Sequence, residues 1–158
     1  TVAQITADIT EALTHLTHHT AKVRRGVLLE LKLILSRIDD DPKTFRNVLH
    51  HNLVQIVTVF ELVYDHESMV RDALRTFVNW FIPRCKEHIH LFGPFWSSIL
   101  AHLSAALSHI NMRVRYNALK ILRSFFSVSS VAKYFETKWC LSLLSHLQLL
   151  FHDIIQNG

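Results

Sequence analysis

Residues that break or bend a helix are scarce in this sequence. Its 158 residues include three glycines and three prolines, whereas an all-β domain needs a turn about every 8–12 residues. Disorder is excluded as well, because it requires few hydrophobic residues and a high net charge, and 49% of this chain is hydrophobic. The composition leaves one helical domain, with an α/β domain as the weaker alternative.

Motifs for chemistry are also scarce. The two cysteines, Cys85 and Cys140, have no disulfide-framework spacing and indicate a reducing compartment. There is no Gly-rich phosphate loop, nucleophile elbow or His-Glu-x-x-His pattern. Twelve histidines suggest a metal site, but a structural zinc site needs four ligands, usually with paired cysteines. We therefore expect no enzyme activity, no cofactor, no metal and no small-molecule substrate.

Neither charge nor hydropathy identifies a partner. Seventeen basic and thirteen acidic residues give a net charge of +4, which permits an anionic neighbour without indicating one. The charge-free run His88–Met112 is interrupted by Gly93-Pro94 and carries four histidines, so we expect an amphipathic helix there and no membrane contact.

The chain starts without Met and stops in an apparent helix, so we expect a fragment of a longer protein.

What the sequence does contain is a repeat. Three segments align on Val23-Arg24, Val70-Arg71 and Val114-Arg115, at offsets of 47 and 44 residues. Both offsets fit the period of HEAT or armadillo units, about 40–47 residues. Each pair begins a helix with an apolar stripe, and a second amphipathic helix and a polar turn precede it. The turns are predicted at Thr17–Thr20, Asp65–Ser68 and His109–Asn111.

The apolar stripes predict the core and the repeat boundaries. The stripes of the second helices are Val70, Leu74, Phe77 and Phe81, then Val114, Ala118, Ile121 and Phe125. Those of the first helices are Val2, Ile5, Ile9, Leu13 and Leu16; Leu49, Leu53, Ile56, Phe60 and Val63; and Trp96, Ile99, Leu103, Ala106 and Ile110. We predict an all-α, HEAT/armadillo-like α-solenoid of about three and a half helical hairpins in a single domain. Its repeats are about 1–38, 44–83 and 95–128, with a half repeat at 136–156. Pro83 and Gly93-Pro94 frame the second junction around a short helix at Lys86–His90.

The repeated arginines Arg24, Arg71 and Arg115 should form a ladder along one side of the stack. Either each guanidinium binds a carboxylate or the turn carbonyls of its own structure, which we favour, or the ladder binds phosphates or an acidic partner. For Arg71 we expect a carboxylate or turn carbonyls within hydrogen-bonding reach, beside Asp65 and Glu67. Further basic residues form either a positive stripe or a solvated face: Lys22, Arg25, Lys32, Arg75, Arg113, Lys120 and Arg123.

The last predicted helix, 138–155, is apolar on nearly all sides. A surface helix keeps a polar face, so this one should have a neighbour on two sides, of which the preceding hairpin supplies one. The other should be the next helix of a longer chain or a bound protein. The candidate partner surface is formed by Trp139, Leu143, Leu147 and Leu150.

Two segments go beyond a generic HEAT pattern. One runs from Leu16-Thr17-His18-His19 through Val23-Arg24 to Leu31-Lys32, and the other from Ala101-His102 through Ala106-Leu107-Ser108-His109-Ile110 to Leu122. Together they resemble the pre-rRNA-processing Ipi-one family, whose animal member is testis-expressed protein ten. Thr20, Val27 and Glu30 depart from the family's usual Asn, Ala and Gly.

The resemblance implies a non-catalytic, protein-binding scaffold subunit of the Rix complex. This complex acts on the pre-60S particle in pre-rRNA processing, in the nucleolus and nucleoplasm. The implied partners are a second helical-repeat scaffold protein, a WD-repeat protein and an AAA ATPase, with a weak rRNA contact as a further expectation. Two alternatives stay open: another HEAT-repeat adaptor in transport or signalling, and a helical repeat that binds RNA directly.

Overall fold

The fold of the chain is all-helical where the structure, a computed structural model, describes it: residues 1–138 together with Gln148, His152 and Gln156. Seven α-helices and two 3₁₀ helices follow one another in this part, without a strand. The α-helices are α1 (Val2–Leu13), α2 (Ala21–Ser36), α3 (Pro42–Ile56), α4 (Ser68–Arg84), α5 (Trp96–Leu107), α6 (Met112–Phe126) and α7 (Ser129–Lys138). The 3₁₀ helices are Val57–Tyr64 and Lys86–Phe95.

Successive helices form antiparallel pairs that pack on one another. Helix α1 packs on α2, the first 3₁₀ helix on α4, and α5 on α6. Between pairs, α1 contacts α3, α2 contacts α4, and α4 contacts α6, while the first 3₁₀ helix contacts α5. First helices therefore pack on first helices and second helices on second helices. None of the described helices is long and apolar enough to cross a bilayer.

All three predicted turns separate two helices, as the sequence indicated. Helix α6 begins after Asn111, whose side chain accepts a hydrogen bond from the backbone N–H of Arg113 over 2.9 Å. Helix α3 begins after Asp41, whose carboxylate accepts from the N–H groups of Lys43 and Thr44, and Pro42 occupies its first turn, where no backbone donor is lost. Local capping chemistry thus accounts for where these helices start.

The second-helix stripes are buried along their whole length, as predicted. Their aromatic members join a continuous line of rings through the core. From Phe81 to Phe92, Trp96, Phe125 and Phe60, successive ring centroids are 6.2, 5.3, 5.8 and 5.7 Å apart, which is the usual range for packed aromatic pairs. All five side chains are at most 1% exposed, so they are core residues and cannot stack on a ligand.

One stripe assignment was wrong, at a helix end. Ile110 is 93% exposed, because α5 ends at Leu107 and Ile110 therefore does not lie on a buried helix face. Pro83, predicted at the second junction, lies in the last turn of α4, which ends at Arg84. A proline that near the end removes one backbone donor without disrupting the turns before it.

The first helix of the second pair also differs from the prediction of one continuous helix. It is α-helical to Ile56 and then 3₁₀ from Val57 to Tyr64. The change coincides with Val57-Thr58-Val59, three β-branched residues with restricted side-chain rotamers in an α-helix. Phe60 and Val63 remain buried.

Two other predicted helices differ in their bounds. The helix predicted at Lys86–His90 is present, but it is a longer 3₁₀ helix that includes Gly93-Pro94. Helix α7 begins before the start of the predicted half repeat.

Most side-chain contacts between neighbouring pairs have nearly the same sequence separation, apart from Arg24–Asp65 at 41 residues and Tyr64–His102 at 38. Five side-chain contacts join residues 45 or 46 positions apart: Thr10 with Gln55, Thr6 with Asn52, Asp39 with Arg84, the Arg71 carbonyl with Asn117, and Asn79 with Ser124. This separation lies between the 44- and 47-residue offsets of the Val-Arg pairs. Equivalent positions of adjacent pairs therefore lie side by side.

Candidate interaction surface

The three repeated arginines bind the turns that precede their own helices. Nη1 of Arg24 donates to the carbonyls of His18 and His19, over 2.7 and 3.0 Å. Arg71 donates in the same way to Asp65 and His66, and Arg115 to His109 and Ile110, over 2.8 and 3.1 Å. Each guanidinium thus binds the carbonyls of the residues six and five positions before it.

The residue six positions before each arginine also closes its turn with its side chain. Nδ1 of His18 accepts from the backbone N–H of Thr20, and Nδ1 of His109 accepts from that of Asn111, both over 3.0 Å. In the second turn, Oδ1 of Asp65 accepts from the N–H of Glu67 over 2.9 Å. The sequence analysis missed this role, although His, Asp and His recur at one fixed distance from the three arginines.

Asp65 additionally joins the first turn to the second. Its carboxylate accepts from Nε and Nη2 of Arg24 over 2.7 and 2.9 Å, a bidentate pair. Both side chains are buried, with 7% of Arg24 and 6% of Asp65 exposed. The sequence analysis expected a carboxylate or turn carbonyls within reach of Arg71, and Arg71 binds the turn carbonyls of Asp65 and His66. The Asp65 carboxylate is directed instead to Arg24 in the preceding pair.

The pKa values of both partners favour their charged forms. The hydrogen bond that Arg24 donates to Asp65 raises the pKa of Arg24 further, and this outweighs the effect of burial. For Asp65, burial is the largest single influence and would raise the pKa. The hydrogen bonds from Arg24 and from the Glu67 N–H, together with the Arg24 charge, outweigh it and hold the Asp65 pKa below its usual value.

Acid should therefore weaken the fold partly through Asp65. The ordinary Asp pKa is about 3.9, and the folded-state value is lower, so the stabilisation is complete above about pH 4 and is lost as the pH falls through the folded-state value. We expect the free energy of unfolding of the unmodified chain to fall more steeply below about pH 4 than that of Asp65→Asn. Urea titrations at several pH values test this, and parallel pH profiles would contradict it.

The same comparison separates Asp65 from other acids. Hydrogen bonds from Thr44 lower the pKa of Asp41 as well, but Asp41 is present in both chains and cancels in the difference.

Little of the arginine ladder is open to a ligand. Arg24 and Arg71 are 6% and 4% exposed; Arg24 binds turn carbonyls and the Asp65 carboxylate, and Nη1 of Arg71 binds turn carbonyls. No three His, Cys, Asp or Glu side chains in the described residues form a group that could hold a metal. Cys85 is fully buried, and its burial, with a smaller effect of Asp39, raises the pKa of the thiol well above its usual value.

Part of the predicted basic stripe converges in a groove between α4 and α6. The groove has a volume of about 410 Å³, and its walls include Arg75, Asn79, Lys120, Arg123, Ser124 and Ser127. Lys22, Arg25 and Arg113 are exposed elsewhere on the second helices. The ammonium of Lys32 instead lies 5.8 Å from the ring centroid of Trp80.

The other predicted surface lies outside the described residues. Trp139, Leu143, Leu147 and Leu150 all fall in the part of the chain beyond Lys138 for which no placement is described. Their assignment as a partner surface stays a prediction from the sequence.

Comparison with known proteins indicates one family. The model of the Ipi1 amino-terminal family, described as a Rix1 complex component involved in 60S ribosome maturation, matches residues 90–157. A testis-expressed protein 10 homologue from Danio rerio is 30% identical over 115 residues, which is 73% of this chain. Both matches support the Ipi1/testis-expressed protein 10 family for this chain.

The family model matches residues in the second half of the chain. The matched range contains Ala106-Leu107-Ser108-His109-Ile110, the rarer of the two segments that carried the resemblance. The chain spans 12% of the length of the Danio rerio relative. The Ipi1 family description names a complex component and no enzymatic reaction.

Proposed function

We propose that this chain is a HEAT-like α-solenoid segment of a non-catalytic scaffold subunit, which acts in 60S ribosome maturation as part of the Rix1 complex in the nucleus. The family match at residues 90–157 carries this proposal. Its partners would be proteins: a second helical-repeat scaffold, a WD-repeat protein and an AAA ATPase on the pre-60S particle.

The solenoid arrangement is supported by the hydrogen bonds between pairs. In a stack of repeats each unit contacts only its neighbours, and five of the side-chain contacts between neighbouring pairs join residues 45 or 46 positions apart. The arginine ladder would then be structural. Each rung binds its own turn, and Arg24 also binds the next turn through Asp65.

Affinity purification of the tagged full-length protein from nuclear extract, read by mass spectrometry, tests the function. We expect pre-60S assembly factors and the other subunits of the Rix1 complex in the eluate, and their loss when the segment equivalent to residues 90–157 is deleted. Recovery of transport or signalling proteins in place of assembly factors would overturn the proposal in favour of another HEAT-repeat adaptor.

The candidate partner surface on the last predicted helix gives a sharper test. Replacing Leu143 and Leu147 with alanine should weaken co-purification of partner proteins while changing the free energy of unfolding by less than about 1 kcal/mol. The matched control is Leu29→Ala with Leu33→Ala, since these α2 leucines have the same spacing and are 50% and 56% exposed. The control should leave co-purification intact. Equal loss of partner proteins in both variants would contradict a role specific to the candidate partner surface.

A further inference from the structure

The groove between α4 and α6 concentrates positive charge that the carboxylates in the described part of the chain do not neutralise. None of the carboxylates placed by the structure pairs with Lys120 or Arg123. Arg75 has one loose contact with exposed Asp72, at 3.4 Å, which contributes little in water. By contrast, Arg24 and Arg84 pair closely with Asp65 and Asp39, at 2.7 and 2.8 Å.

The groove is elongated. It continues into a second groove of about 440 Å³ that shares Pro83 and Ser127 with the first and adds Lys86, Ser129 and Ser130. Glu87 is the one acidic residue that lines this continuation. Four cations and several hydroxyl donors therefore follow one continuous path, which suits a chain of anionic groups better than a single anion.

An exposed aromatic ring adjoins this path. Tyr116 is 55% exposed and lies one turn before Lys120 on α6, with the Lys120 ammonium 4.3 Å from its ring centroid. Cations that track a backbone beside an exposed aromatic ring are the combination that binds single-stranded nucleic acid.

We propose that this groove binds the phosphate backbone of single-stranded RNA, with Arg75, Lys120 and Arg123 contacting phosphates and Tyr116 stacking on a base. The choice of RNA over other polyanions rests on the function proposed above. The groove differs from the arginine ladder, whose guanidiniums are engaged with turn carbonyls, so this site is not the anion track considered from the sequence.

Fluorescence anisotropy of the full-length protein with a labelled oligouridylate of about 16 nucleotides tests the site. The variant combines Arg75→Gln, Lys120→Gln and Arg123→Gln. The matched control combines Arg37→Gln, Lys43→Gln and Arg46→Gln, which removes the same charge from exposed positions at the end of α2 and on α3. Thermal melting checks that each variant is folded.

We expect the groove variant to bind at least about tenfold more weakly at low salt. The slope of log K against log salt should fall by about 2, since each lost phosphate contact on a single strand contributes about 0.7. The control should retain the slope. Equal weakening by both triples, or no binding by the unmodified protein, would overturn the proposal. If the triple variant fails to fold, Arg123→Gln alone should lower the slope by about 0.7.

Tyr116 provides an independent measurement. Tyr116→Ala should weaken RNA binding at least about fivefold, whereas Tyr116→Phe keeps the ring and should bind as the unmodified protein does. Equal binding by all three would remove the stacking role and overturn this part of the proposal. Binding of an acidic phosphopeptide but not of RNA would overturn the whole proposal in favour of a protein ligand.

Co-purification separates this inference from the proposed function. The groove variant should still recover the assembly factors through protein contacts while it loses RNA affinity. If the unmodified protein recovers those factors but binds no RNA, the inference fails and the proposed function stands. If it binds RNA through the groove but recovers none of them, the proposed function fails instead.

Discussion

Replacing Asp65 with alanine should destabilise the fold by about 3–5 kcal/mol. Its carboxylate pairs bidentately with Arg24, and both side chains are buried. Removing one partner of a buried pair leaves an uncompensated charge, and that cost exceeds the net contribution of the intact pair. The substitution also removes the acceptor of the Glu67 N–H, which closes the second turn.

Urea unfolding of Asp65→Ala measures this loss, and Asp72→Ala is its matched control. Asp72 lies seven residues further along in the same pair but is exposed, and its contact with Arg75 is loose, so the control should change the free energy of unfolding by less than about 0.5 kcal/mol. Similar changes in the two variants would show that the Arg24–Asp65 contact does not join the turns.

Replacing His109 with aspartate should have the opposite effect and stabilise the fold by about 1–3 kcal/mol. His109 occupies in the third turn the place that Asp65 occupies in the second, six residues before the repeated arginine. No carboxylate in the described part of the chain pairs with Arg71, although this guanidinium is buried. An aspartate at position 109 would accept the Asn111 N–H as His109 does and give Arg71 a charged partner.

The control for this substitution is His109→Asn. Asparagine keeps an oxygen acceptor for the Asn111 N–H but carries no charge, so it should leave the free energy of unfolding within about 0.5 kcal/mol of the unmodified chain. Thermal melts of the three proteins at neutral pH make the comparison. A destabilised His109→Asp variant would show that the second and third turns do not lie against each other as the first and second do.

The hairpins could be predicted from the sequence because their signals are local. The Val-Arg pairs recur at nearly constant spacing, and the polar residues before them end one helix and begin the next. The buried stripes followed from helical periodicity alone. Periodicity does not separate an α-helix from a 3₁₀ helix, so Phe60 and Val63 were placed correctly in the core but in the wrong helix type.

The contacts between repeats could not be predicted in the same way. The sequence places Asp65 six residues before Arg71, and only the stacking of the pairs directs its carboxylate to Arg24, 41 residues away. The basic groove has the same origin, since Arg75 and Arg123 belong to different pairs and meet only because α4 packs on α6. Ladder residues were recognisable from their repetition, but which of them face solvent depends on the packing.

Sedimentation of nuclear extract through a sucrose gradient tests the central claim most directly. The claim is that this segment attaches a scaffold subunit to the maturing 60S particle. We predict that the full-length protein sediments with 60S precursors and that a variant lacking the segment equivalent to residues 90–157 stays near the top of the gradient. Both proteins remaining at the top, or both sedimenting with the particle, would contradict the account.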